Sequence, residues 1–153
     1  MAKNACMAVQ VIFSELPTKD LDPNIDHVFP TLIKKATDTN HFVSEQADKA
    51  LVVVCHACTE AKVFNSLQST TGRSNVIKAK LCMAYGCLID KLGAKIKTFK
   101  DSDRLIKTIV TYLAEAAIEV RNQAKLNILS LKYNLPNGRD FDGLLLRCNL
   151  TDK

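Results

Sequence analysis

The chain contains no tryptophan, and its five glycines and four prolines leave little material for tight turns. Aromatic residues make up only 6% of it. Sandwiches and barrels of short strands need frequent turn residues and favour aromatic side chains, so this poverty disfavours an all-β fold. No apolar run approaches the roughly 20 residues of a membrane-spanning helix, and the N-terminus lacks the charged-then-apolar pattern of a signal peptide. There is no glycine-rich phosphate loop and no paired-carboxylate motif. Sustained period-two alternation is also missing, which leaves helices as the expected elements.

What is present suits a helical protein built from Ala, Leu, Ile and Val. Hydrophobic residues are 47% and charged residues 24% of 153 positions, a globular composition, and the length matches one domain over 1–153 with residues 135–153 as a C-terminal cap. The net charge of +5 permits an acidic partner (nucleic acid, an anionic membrane or an acidic protein) and selects none of them. Six cysteines (Cys6, Cys55, Cys58, Cys82, Cys87 and Cys148) mostly fall inside apolar helical patterns. They read as small core residues of a reduced, intracellular protein rather than as a disulfide framework.

Helices are expected over residues 2–16, 22–37, 41–57, from Thr59–Glu60 onward, 76–92, from Asp101, and 118–133, with a short one over 141–150. The first carries Ala5, Cys6, Val9, Ile12, Phe13 and Leu16 on one face and stops at Pro17. Asp22 followed by Pro23 reads as an N-cap and first helical residue, and Pro30 within the stripe of Ile25, Val28, Phe29, Leu32, Ile33 and Ala36 predicts a kink. Asp38 or Asn40 caps the next helix, whose stripe is Phe42, Val43, Ala47, Ala50, Leu51 and Val54. Residues 68–75 form a polar loop, Ser74 or Asn75 caps its successor, and Gly93 ends it. Asp101 opens a helix with Leu105, Ile106, Ile109, Val110 and Leu113 inward. The last long helix carries Val120, Ala124, Leu126, Ile128, Leu129 and Leu131. Ala5, Ala47, Ala79 and Ala124 stand in matching first turns at spacings of roughly forty residues, the period of a helical repeat array. The expected fold is therefore all-α, a solenoid of antiparallel helix pairs.

Few residues suggest chemistry. Cys55, His56 and Cys58 invite a metal site, but His56 projects off the face that the two cysteines share, and no second ligand pair has zinc-site spacing. No metal and no cofactor is expected. A cysteine nucleophile would need a base that sequence cannot place beside it, so the chain is read as non-enzymatic. Lys91, Lys95, Lys97 and Lys100 cluster near a helix end, where solvated cations are favoured, with an anionic partner surface as the sharper reading.

Glu119-Val120-Arg121-Asn122-Gln123-Ala124 resembles the turn and second-helix opening of HEAT repeats, and Asp38 with Phe42-Val43 and Asn75-Val76-Ile77-Lys78 are looser matches. More closely, the chain resembles the TOG domains of the CLASP and Crescerin (TOG-array axonemal) proteins. The likeness rests on Lys3-Asn4-Ala5-Cys6 with Phe13 and Leu16, Leu21-Asp22-Pro23, Leu32-Ile33-Lys34-Lys35-Ala36, Asp38 to Val43, and Ala47-Asp48-Lys49-Ala50-Leu51. It covers residues 2–134 and is strongest over 2–54. A full TOG domain has about six helix pairs and opens with an aromatic anchor, typically Trp, so the resemblance is to a truncated TOG domain that starts halfway through a pair.

The resemblance implies a HEAT- or armadillo-like paddle that binds tubulin or the microtubule lattice through one edge of intra-repeat turns. Carried over, that edge comprises Lys3, Thr39, Asn40, His41, Arg73, Asn75, Lys78, Glu119 and Arg121, with Lys3, Arg73, Lys78 and Arg121 as a basic row facing tubulin's acidic surface. It further implies a cytoplasmic, cytoskeletal protein of cilia or flagella, alongside other axonemal proteins, without nucleic acid or membrane as partner. The rival expectation is a HEAT-type scaffold for a non-tubulin protein, and the missing interleaved aromatics and glycines argue against nucleic acid.

Overall fold

Helix boundaries follow the chemistry of their ends. In the computed structural model, which describes residues 1–135 and 137–147, α1 spans Ala2–Glu15 and stops before Pro17, whose dihedrals are extended (φ −63°, ψ 146°). A short α2 (Thr18–Leu21) and a 3-10 turn (Asp22–Asn24) lead into α3 (Ile25–Ala36). The expectation that Asp22 caps α3 is corrected, because its own backbone is already helical. Its carboxylate instead accepts from the Thr59 backbone N–H at 2.8 Å and from the Thr59 hydroxyl. Thr59 is the residue from which α5 (Glu60–Ser69) starts, so Asp22 ties the beginnings of two helices together.

Pro30 does not interrupt α3. It is exposed, while Ile25, Phe29, Leu32, Ile33 and Ala36 are buried. The ring and the missing donor therefore fall on the solvent side, where a stranded carbonyl is open to water. Helix α4 (His41–Ala57) follows, then α5, then α6 (Asn75–Leu92). Gly93 ends α6 at φ +52°, ψ −130°, a conformation that a side chain would strain. A second 3-10 turn (Gly93–Lys97), which periodicity did not reveal, precedes α7 (Ser102–Leu113). Helices α8 (Ile118–Asn134) and α9 (Gly138–Arg147) complete the described chain, in which no strand occurs. The expected helix over 141–150 thus begins earlier, and Cys148 and residues 149–150 lie outside the described residues.

The helices make two layers. α1, α4, α6 and α8 pack side by side, while α3, α5 and α7 back α4, α6 and α8 respectively. Contacts at two levels of each neighbouring pair in the first layer show that its members run parallel: Lys3 lies by Phe42 and Gln10 by Gln46, Asp48 by Lys80 and Cys58 by Lys91, Cys82 by Asn127 and Asp90 by Ser130. Gln10 donates to Gln46 Oε1 at 3.1 Å, Lys80 to Asp48 Oδ2 at 2.6 Å, and Ser130 to Asp90 at 2.5 Å. This is the stacked-pair arrangement expected of a HEAT-type solenoid.

Which apolar residues are buried depends on the number of neighbours. α1 packs chiefly on α4, so only Cys6 and Phe13 of its expected face are buried, while Ile12 and Leu16 remain 48% and 49% exposed. On α8 the expected inward residues Leu126 and Leu129 are exposed, and Asn127 is buried in their place at 2% exposure. Phe42, expected in the stripe of α4, is likewise exposed. The remaining stripes close into one apolar cluster from Cys6 to Leu144, where burying each Leu or Ile contributes about 1.5–3 kcal/mol.

Asn127 explains how α6 and α8 come close. Its amide nitrogen donates to the Cys82 carbonyl at 2.8 Å, and its oxygen accepts from Gln123 at 3.3 Å. A Cβ placed on Gly86 would stand 2.5 Å from that oxygen. Gly86→Ala should therefore cost about 1–2 kcal/mol, despite alanine's better helix propensity, by displacing a bonded, buried amide. In an Asn127→Ala background the same change should cost nothing or stabilise, a non-additivity that chemical denaturation of the two single variants and the double variant would measure.

Candidate protein-binding edge

Because the first-layer helices run parallel, their N-termini lie along one edge, and the turns that introduce them build it. The turn before α4 is held by its own side chains. Asp38 accepts from the Asn40 N–H at 2.8 Å, and Asn40 accepts from the Phe42 N–H at 3.0 Å, which fixes Asn40 as the N-cap. Thr39, Asn40 and His41 are all exposed there. Ser74 caps α6 in the same way, accepting from Val76 at 3.3 Å, beside exposed Arg73 and Asn75. Short polar residues at these positions satisfy the orphan amides of the first turn, so the edge is ordered by local bonds before any partner arrives.

The four cations expected as a row divide into two pairs. Lys3 and Arg73 are exposed and make no ion pair among the described residues. Lys78 is half-buried, and its ammonium donates to both Glu115 oxygens at 2.9 Å. Arg121 is half-buried too, donating to the carbonyls of Glu115 at 2.9 Å and Ala116 at 2.6 Å. Glu115 thus gathers both cations and fastens the turn between α7 and α8. Glu119, in the first turn of α8, is exposed. Of the four expected cations, Lys78 and Arg121 are therefore engaged in holding this turn, and Lys3 and Arg73 are not.

The edge also carries apolar side chains that periodicity placed elsewhere or did not single out. Phe42 is 65% exposed, Val76 53% and Ile118 57%, each within the first two residues of a first-layer helix. Lys3 Nζ lies 5.7 Å from the Phe42 ring centroid, and the His41 ring is 6.4 Å from it. Such a cation–aromatic contact at an exposed site contributes about 0.5–1 kcal/mol. An N-cap two residues earlier was the available signal for Phe42, because side chains in the first helical turn often project past the layer they precede. Exposed apolar anchors flanked by charges are the makings of a protein interface.

A family model described as CLASP N terminal matches residues 1–142. The chain belongs to the CLASP N-terminal family. Membership agrees with the layered helix pairs, since the family domain is TOG-like and built of HEAT repeats. It is a scaffold type of domain. No curated protein sequence matches the chain.

Cys55, Cys58 and Cys82 of this CLASP-family chain sit away from the edge. Cys55 and Cys58 are buried at 0% exposure, whereas His56, between them, is exposed. Burial pushes the Cys58 thiol up to about 11, Asp22 adding to the rise, and it pushes Cys82 up to about 12. Cys55 is raised as well, chiefly by burial. Thiols held protonated are poor nucleophiles and poor metal ligands, so packing explains these residues. Lys91 supports the same region by donating to the Cys58 carbonyl, and Lys97 pairs with Asp140 at 2.7 Å, while Lys95 and Lys100 are exposed.

The thiol shifts have a definite sign. An acid whose folded pKa exceeds its unfolded value near 9.0 lends stability below that value and loses it as pH rises toward the folded one. Stability to urea should therefore fall between pH 9.0 and about 11–12. Cys82→Ala should flatten that fall, which denaturation at pH 8 and in the alkaline window would read.

Proposed function

We propose that this chain binds tubulin or the microtubule lattice without performing chemistry, through the edge that Phe42, Lys3, His41 and Arg73 occupy. The observation that carries the proposal is the exposed Phe42 with Lys3 over its ring, at the N-terminal edge of a CLASP-family repeat layer. An aromatic side chain on a pre-ordered turn loses little entropy on binding and brings large apolar area, the usual character of an interface hot spot. The cations around it speed encounter with an acidic surface and contribute less to final affinity. Thr39, Asn40, Asn75 and Glu119 complete the contact as polar rim residues. Lys78 and Arg121 act indirectly, by holding the α7–α8 turn through Glu115.

Ciliary or flagellar microtubules are the proposed site of action, a reading supported by the likeness of residues 2–54 to TOG-array axonemal proteins. Retention of the chain on isolated axonemes after a salt wash would bear this out, and its exclusive recovery with soluble proteins would overturn it.

The edge is tested by microtubule co-sedimentation. Phe42→Ala should weaken binding by roughly tenfold, about 1.4 kcal/mol, and Lys3→Glu with Arg73→Glu should weaken it further while flattening its salt dependence. Lys78→Glu should instead lower thermal stability, because it sets two carboxylates together at Glu115. Binding unchanged in the Phe42, Lys3 and Arg73 variants would overturn the edge. Recovery of a different protein by the wild type but not by these variants would favour the scaffold reading.

A further inference from the structure

The outer helices of the first layer, α1 and α8, each turn an apolar face to solvent. Met7, Val11 and Ile12 of α1 are 46%, 62% and 48% exposed. Leu126, Leu129 and Tyr133 of α8 are 57%, 62% and 85% exposed. Both faces lie opposite the residues that pack into the molecule, Phe13 on α1 and Asn127 on α8. Between neighbouring helices inside the layer the equivalent faces are covered, α4 by α6 and α6 by α8. From this we infer that the chain associates head to tail, the α8 face of one copy stacking on the α1 face of a second and continuing the solenoid.

The charges around the two faces choose this occupant. Within the molecule Asn127 of α8 lies opposite Cys82 of α6, so Ala124 and Ala79 are level. Gln10 lies opposite Gln46 and Lys80 opposite Asp48, so continuing the layer sets Ala124 of one copy level with Val11 of the next. Exposed Glu119 then comes within a turn of exposed Lys3, and exposed Lys132 about a turn from exposed Glu15. Opposite charges meet at both ends of the contact.

The backing layer agrees. α1 and α3 bound an apolar groove of about 270 Å³ lined by Ala5, Val9, Val28 and Leu32, with Lys35 on its wall. α9 touches α7 and α8 in its own copy and presents exposed Asp142 and Leu146. In the continued stack α9 lies over the second copy's groove, where Asp142 can meet Lys35.

Such a contact joins two different faces, so a dimer leaves one of each free and copies add as concentration rises. Sedimentation velocity of the full chain at increasing concentration should show a weight-average coefficient that climbs past the dimer value. Val11→Glu and Leu129→Glu alter opposite faces at exposed positions. Each alone should be monomeric, and an equimolar mixture should form a dimer that grows no further. Glu15→Lys and Lys132→Glu should each weaken association, and the double variant should restore it, which keeps the test sound if a glutamate variant fails to fold. A wild type that stays monomeric overturns the inference. So does self-association of Val11→Glu alone, which would mark an α8-to-α8 contact, or a mixture that fails to dimerise. The outcome is independent of tubulin binding, since no microtubule enters the measurement.

Discussion

The structure depends on the close parallel approach of α4, α6 and α8. Helices of about fifteen residues are marginal in water, and each here becomes stable only when its stripe is covered by a neighbour. Small residues make the approach possible. Ala47 and Ala50 on α4, Ala84 and Gly86 on α6, and Ala124 on α8 keep the backbones near enough for side chains beyond them to interlock. The one amide admitted into this interface, Asn127, is bonded to Cys82 and Gln123, so its burial does not carry the penalty of an unpaired polar group. It also settles the register, because a shift along the helix would strand it.

Parallel stacking has a consequence for binding. It brings successive helix N-termini to a common edge, so turns separated by many residues present a continuous surface. That edge is not uniform. Around α4 it is open, with Phe42 and His41 exposed on a turn fixed by Asn40. Around α8 it is clamped, with Lys78 and Arg121 drawn onto Glu115. The two ends of the layer repeat the theme at larger scale. α1 and α8 expose faces that interior helices cover, and their charges complement one another.

Much of this was legible in the sequence, and the failures share a cause. Helix positions followed from apolar spacing and from caps such as Asn40, Ser74 and Gly93, because these signals act within a turn or two of the chain. Burial on a given helix was less legible. Leu126 and Leu129 fit a helical stripe as well as Leu131 does, yet only Leu131 is covered, because α6 and α7 approach from that side. Asn127 broke the apolar pattern and is buried nonetheless, since a carbonyl on a different helix satisfies it. Asp22 had the spacing of an N-cap and spends its carboxylate on Thr59, 37 residues away.

By itself the sequence determined an all-α chain, the order and limits of its long helices, and the repeat that pairs them, because propensity, capping and periodicity are local. Tertiary structure alone decided which apolar residues remain outside and which charges remain available. Exposure depends on the number and direction of neighbours, and a cation's availability depends on whether a distant carboxylate reaches it first. Phe42 and Lys78 show both sides of this. One was read as core and stands at the edge; the other was read as edge and is held by Glu115.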